Sequence, residues 1–361
     1  MCKLKSHMVE EPKPFRSPHR KTSFRDSLLE NPNIYRFKEL ADATAKFTSG
    51  RRGKSSTVKC VLKGKMVAVT VRDQNRKIRD FRSGLREICN AHHASIVKLL
   101  GGCCEGDSSY LVYEYVEGSN LRECLRGIKA PGFTVLSSWI SRMQIAVDVA
   151  QGLDYMHNDS QINYVHNYLK SSSIIVTEPG YRARICYLGA SNLAGEYDME
   201  GAGAVPKRSS IKITGTQGYM APEYMNSGIV SHKTDVFALG IVLLELLSGQ
   251  EPIRYVADEG GRGIKRIGLR ETLAIVLSEE GPHLIGRLRL WMDPRLKDSF
   301  PVDCAVQIAR IAASCVDPDP GKRPDTRYVA GQLSNVFIMS QRWSERMEAN
   351  KKWISSSFEA R

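Results

Sequence analysis

The stretch "GTQGYMAPEYMNSGIVSHKTDVFALGIVLLELLSG" (residues 215–249) decides how this chain is read. Its apolar run, residues 236–244, stops at Glu245 and falls far short of the roughly 18 residues a membrane-spanning helix needs. With 361 residues and 42% apolar side chains, the chain can build an ordinary globular core as two domains or one bilobal domain.

Upstream, "WISRMQIAVDVAQGLDYMH" (residues 139–157) sets Ile140, Met143, Ile145, Val147, Ala150 and Leu153 on one broad face, which predicts a core helix. Further back the pattern becomes strand-rich. Residues 58–71 read as two short strands around "LKGK", and "SSYLVYEYV" (residues 108–116) reads as a buried strand. Residues 36–47 and 81–93 carry helical periodicity. The organisation expected is a basic tail over residues 1–30, whose composition cannot repay its ordering entropy. A small lobe with a leading helix (31–116), a helical lobe (117–340) and a C-terminal tail (341–361) follow.

Nine cysteines, with adjacent Cys103 and Cys104 and no C-x-x-C spacing, read as reduced thiols mostly in the core. The N-terminus lacks the apolar core of a signal peptide and begins Met-Cys, not Met-Gly, which excludes N-myristoylation. The expected location is cytoplasmic. Cys2, flanked by Lys3 and Lys5, is a candidate for S-acylation, and the basic tail would add the second signal for peripheral anchoring at the plasma membrane. The net charge of +13 is explained most simply by a solvated basic surface. An acidic partner or an anionic membrane surface is the alternative, with the tail and "GGRGIKRIGLRE" (residues 260–271) as candidate contacts. Nucleic acid is not expected as a partner, because no binding motif and no basic-aromatic interleaving is present.

Residues 215–249, together with "CVDPDPGKRP" (residues 315–324), resemble the protein kinase superfamily, specifically the plant receptor-like kinase group, and the resemblance extends over residues 34–336. It implies an α+β, bilobal kinase fold with a small β-rich N-lobe and a larger helical C-lobe. It also implies that Glu223 and Arg323 form a buried ion pair, that Asp235 anchors the catalytic-loop backbone, and that Ile88, His166 and Leu188 stack upon it. Val58, Ala68 and Ile175, with Gly53 and Glu114, would mark a vestigial adenine site.

The chemical signatures of that family are degenerate. The glycine-rich loop reads "RRGKSSTV", where Arg51 and Ser56 obstruct the approach of bare backbone amides to phosphate. The strand lysine is Thr70, and its helix partner, a glutamate in the family, falls at Gly84. Losing both leaves no stranded charge. In "HNYLKSSS" (residues 166–173), Tyr168 replaces the catalytic base, Asn167 the arginine and Ser173 the magnesium-binding Asn; in "YLG" (residues 187–189), Tyr187 replaces the metal-binding Asp. Between residues 161 and 195 the sole carboxylate is Glu178, in the turn "TEPG", which leaves no local metal ligand. Arg72, on the strand face of Thr70, and Lys54 could neutralise a phosphate. Loss of a general base alone costs about 10²–10⁴ in rate. Tyr168 and Tyr187 either fill the cavities left by Asp or plug the nucleotide site.

The expectation is a pseudokinase: no catalytic residue intact, no cofactor required, at most weak metal-independent ATP binding, and a scaffold or allosteric role beside active receptor-like kinases. A weakly active atypical serine/threonine kinase is the alternative. Ser209, Ser210, Thr214 and Thr216, near Lys207, Arg208 and Lys212, either belong to an exposed loop or receive phosphate.

Overall fold

The strand pair β2 (Ser55–Leu62) and β3 (Lys65–Asp73) turns through Lys63 and Gly64, both in the left-handed region at φ 49° and 77°, which is the two-residue turn that matches strand twist. The computed structural model describes residues 32–47, 55–74, 81–127, 136–158, 163–196, 213–257 and 263–359. Cys2, Gly53, Lys54, Lys207, Ser209 and Ser210 lie outside them.

In the small lobe a five-stranded sheet has the order β1-β4-β5-β3-β2, with β1 (Asn33–Ile34) parallel to β4 (Leu99–Glu105) and the other pairs, including β5 (Ser108–Glu114), antiparallel. One face of it carries α1 (Phe37–Ala43), with Leu40, Val58, Cys60, Val67, Val69 and Val112 buried together. The helix α2 (Phe81–Cys89) lies on the other side, and its buried Leu85 and Ile88 join the main core.

The large lobe is assembled around α7 (His232–Ser248), which is apolar on every side and almost wholly buried. Ser231 and Thr234 exchange capping hydrogen bonds at its start, and Gly249 in the left-handed region ends it. Around it stand α3 (Leu121–Arg126), capped by the Asn120 side chain, α4 (Trp139–Asn158), α6 (Pro222–Ser227), α8 (Leu269–Leu277), α9 (Gly281–Trp291), α10 (Val302–Cys315) and α11 (Thr326–Glu359). The strands β6 (Ser119–Asn120), β7 (Ile174–Thr177) and β8 (Arg182–Ile185) form a small sheet under the cleft, followed by the single turn α5 (Ala190–Leu193).

Two features were not read from the sequence. The helix α11 runs unbroken through residue 341, where the sequence reading starts a tail, and it is held to α4 by Trp139 Nε1 donating to Ser340 Oγ at 2.9 Å. The basic stretch after α7 contains a hairpin, β9 (Ile253–Ala257) with β10 (Ile264–Gly268). Among the described residues no helix is long and apolar enough to cross a membrane.

Candidate functional site

The cleft between the lobes is floored by the loop from His166 to Ser173. Its backbone hangs from Asp235, whose carboxylate accepts from His166 N at 2.6 Å, Asn167 N at 2.8 Å and His157 Nε2 at 2.9 Å. Burial pushes the Asp235 carboxyl up, but the donors on His157 and His166 outweigh it and hold it below the usual range. His166 Nδ1 accepts from Tyr168 N at 3.1 Å, so Nε2 carries the proton and donates to Cys186 O at 2.7 Å. Burial lowers the affinity of this ring for a second proton. Ile88, Leu188 and His166 are all buried.

At the other end of the segment Arg323 grips Glu223 with both ends of its guanidinium, at 2.7 and 2.8 Å, and also donates to Lys233 O and Asp317 O. A second buried carboxylate, Glu245, accepts from Arg126, Ser171 and Tyr219 at 2.5, 2.9 and 2.6 Å. Its burial raises its proton affinity, which Arg126 opposes. These contacts fasten the loop, the segment after it and α7 into one unit.

The upper cleft is occupied by the protein's own side chains. Strand alternation puts Ala68, Thr70 and Arg72 on the cleft face of β3. The Arg72 guanidinium lies over the Tyr168 ring at 4.0 Å and 5.7 Å from the centre of the Tyr187 ring, and the residue is only 6% exposed. Tyr168 donates its hydroxyl to Glu196 at 2.5 Å. Burial and then the Glu196 charge raise the Tyr168 hydroxyl above its ordinary value, while burial raises the Glu196 carboxyl. Tyr187 sits at φ 68°, a left-handed conformation that costs a non-glycine residue about 1–2 kcal/mol. Its hydroxyl meets Thr57 Oγ1 at 3.3 Å, and Thr57 Oγ1 meets Thr70 Oγ1 at 3.0 Å. The ring also packs edge-on to buried Tyr113. Thus Tyr168 lies under Arg72 of β3 and Tyr187 reaches Thr57 of β2.

Other positions are engaged locally. Ser173 is buried, with Oγ accepting from Lys170 N and within 3.0 Å of the Tyr168 and Lys170 carbonyls, so its hydroxyl serves the loop backbone. Gly84 faces α5: a Cβ there would meet Leu193 and Asn192, at 3.3 and 3.7 Å. The Glu114 carboxylate pairs with Arg184 and accepts from Lys98 N, so what it presents is a brace between β5, β8 and the residue that precedes β4. Ala68 and Ile175 remain half-buried on the main core. Of the four candidate phosphate acceptors, two are described: Thr216 is exposed and accepts from Lys170 Nζ at 2.9 Å, while Thr214 is half-buried and its backbone bonds the Tyr224 hydroxyl.

Val58 needs correction. It pairs with Val69 on the outer face of the sheet and is buried under α1, away from the cleft. The cleft-facing residue is Thr57, paired with Thr70. A one-residue slip in strand register exchanges the two faces, and degenerate glycines gave the sequence reading nothing to fix the register.

Glu196 escaped sequence reasoning because it lies one residue beyond the window searched for carboxylates. The turn α5 after Gly189 folds it back to Tyr168. The helical hydrogen bonds Leu193 N to Gly189 O and Ala194 N to Ala190 O make that turn, and Ser109 Oγ fastens it by donating to Leu193 O at 2.8 Å.

The family model for protein tyrosine and serine/threonine kinase matches residues 37–273. The chain is 32% identical over 338 residues to LysM domain receptor-like kinase 3 of Arabidopsis thaliana, covering 92% of this chain and 50% of that protein. To chitin elicitor receptor kinase 1 of the same plant it is 33% identical over 326 residues, 89% of this chain and 49% of the relative. It therefore spans about half the length of these curated relatives. Among solved structures it is similar to the pseudokinase domain of BIR2, an immune regulator of the RLK/Pelle family, with TM-score 0.62, 25% identity, and coverage of 86% of this chain and 91% of that one. The chain belongs to the protein tyrosine and serine/threonine kinase family and is homologous to the plant LysM receptor-like kinases.

Proposed function

We propose that this protein is a pseudokinase that acts as a scaffold or allosteric partner in receptor-kinase signalling. The observation that carries the reading is the line Arg72, Tyr168, Glu196 across the cleft, where a phenol under a guanidinium stands in the place of the family's catalytic base. A phenol whose proton affinity is raised by burial and held by a carboxylate is a poor acceptor for a substrate proton. The residues present do not fit magnesium either. Tyr187 offers a neutral hydroxyl, Ser173 serves the backbone, and Glu196 is committed to Tyr168 and inclined by burial to hold a proton, whereas the ion needs carboxylate, phosphate and water oxygens in near-octahedral order. Nucleotide binding, if retained, is weak and independent of metal.

The similarity to receptor-like kinases and to a pseudokinase domain supports a place beside active receptor kinases. Such a protein receives phosphate rather than giving it. At Thr216 a phosphate, with about −1.5 to −2 charge, would meet Lys170 directly and change the docking surface without assembling an active site.

The test is transfer of labelled phosphate from ATP, with magnesium or manganese, to the chain itself and to a generic protein acceptor. Incorporation at the level of a heat-denatured control is expected. After addition of the kinase domain of an active receptor kinase, phosphopeptide mapping is expected to find label in the segment containing Thr214 and Thr216. Robust labelling in the isolated protein, abolished by Thr70→Ala, would favour the weakly active enzyme.

A further inference from the structure

We propose that the hairpin β9–β10 is a docking surface for an extended, carboxylate-rich segment of a partner protein. Cross-strand partners share a face, so Tyr255 opposite Arg266 and Ala257 opposite Ile264 make one apolar-basic surface. Tyr255 is 60% and Ile264 78% exposed, an arrangement that ordinarily marks a surface awaiting a partner. Among the described residues the ribbon is a sheet of only two strands, so each strand has an outer edge to which a further strand can add.

Charge selects the occupant. Neither strand contains a carboxylate, and the exposed Arg254, Lys265 and Arg266 have no acidic partner among the described residues. Outside the connection between the strands, the nearest described acids in sequence are already engaged, Glu251 by Arg122 and Arg126 and Glu271 by Arg270. Over residues 253–270 the sequence has five cations against two carboxylates, Asp258 and Glu259. An alternation of acid and apolar side chains on an added strand would complement both the cations and the exposed Ile264 and Tyr255.

The hairpin is also held in place. Leu269 N donates to Pro252 O at 3.0 Å and closes its base. Gly218, at φ 96°, lies against Pro252 so closely that a Cβ would stand 2.7 Å from the ring, and the Tyr255 hydroxyl donates to Gln217 at 3.2 Å. The apolar-basic face therefore continues onto the segment that contains Thr216, beside Lys170. The inference rests on the scaffold reading and adds to it the chemistry of the partner.

Fluorescence anisotropy with the full chain tests it, using two labelled peptides, one alternating Glu with Val and one alternating Lys with Val. The acidic peptide is expected to bind, more weakly as salt is raised, and the basic peptide not to bind. A Lys265→Glu/Arg266→Glu variant and an Ile264→Ser variant are each expected to weaken binding at least about tenfold. Both change exposed side chains, so an unaltered melting temperature verifies that the fold is kept. Equal binding of the acidic peptide to parent and charge-reversed protein would overturn the proposal. So would hairpin-dependent sedimentation with phosphatidylserine-containing vesicles while the acidic peptide fails to bind, which would assign the surface to a membrane. The phosphate-transfer assay is independent: catalysis together with peptide binding would refute the scaffold reading and leave this surface standing, and no catalysis without binding would do the reverse.

Discussion

At the base of the large lobe, the Glu223–Arg323 pair and the Asp235 anchor bind the segment after the cleft to α7 through charged, largely buried, multiply bonded groups. In the cleft, by contrast, phenols and hydroxyls line the described surface beside Arg72, whose guanidinium rests on aromatic faces. The difference teaches that the two regions answer to different constraints. A carboxylate that holds backbone together is costly to lose because its donors are left buried and unpaired. Carboxylates that serve a metal and a substrate can be replaced by aromatic side chains that pack, provided the cleft no longer has to open around a triphosphate.

The comparison is broken most severely at the base. Arg323→Met should cost about 3–5 kcal/mol, because it strands Glu223 and two carbonyls in poorly solvated surroundings. Urea denaturation measures it, and a loss below about 1 kcal/mol would mean that the base is not what holds the lobe.

Tyr168→Phe should destabilise by about 1–3 kcal/mol, since it leaves the Glu196 carboxylate without its hydroxyl donor. Combining it with Glu196→Gln should recover part of that loss. A double-mutant cycle that came out additive would show that Tyr168 and Glu196 do not support one another.

A smaller effect distinguishes the two faces of β2. Val58→Ala should cost about 1–2 kcal/mol as a core truncation, whereas Thr57→Ala, at an exposed cleft position whose hydroxyl bonds Thr70 and Tyr187, should cost about 0.5–1 kcal/mol. The reverse order would restore Val58 to the cleft.

The smallest is a pH effect at the start of α7. Burial, then the charge of His157, lowers His232 from 6.5 to about 4. Between those values the unfolded chain binds more protons than the folded one, so this contribution is complete above pH 6.5 and is lost as pH falls towards 4. It should amount to about 1 kcal/mol once screening of a partly exposed ring is allowed for, and His232→Gln should flatten the slope by that much.

The fold was legible because its determinants are local and repetitive. The apolar run of α7, the periodicity of α4 and the turn at Lys63 and Gly64 each state an element without reference to distant residues. The resemblance assigned Tyr168, Ser173 and Tyr187 to the family's catalytic positions by their intervals from neighbours such as His166 and Gly189. How those side chains pack was less accessible. That Arg72 shares a face with Thr70 follows from strand alternation, but its seat on Tyr168 depends on how two lobes meet. Glu196 becomes part of the cleft only through the turn α5, which four residues of unremarkable composition, "ASNL", do not announce. Val58 was misplaced for the complementary reason: alternation is exact, so an error of one residue is an error of a whole face.

The central claim, a kinase scaffold whose cleft is closed by its own side chains and lacks the ligands for magnesium, is tested most directly by the thermal stability of the full chain with ATP, in the presence and absence of magnesium. The same melting temperature with and without the metal, displaced little or not at all by the nucleotide, is the predicted result. A rise of about 4 °C or more that appears only when magnesium accompanies ATP would contradict it.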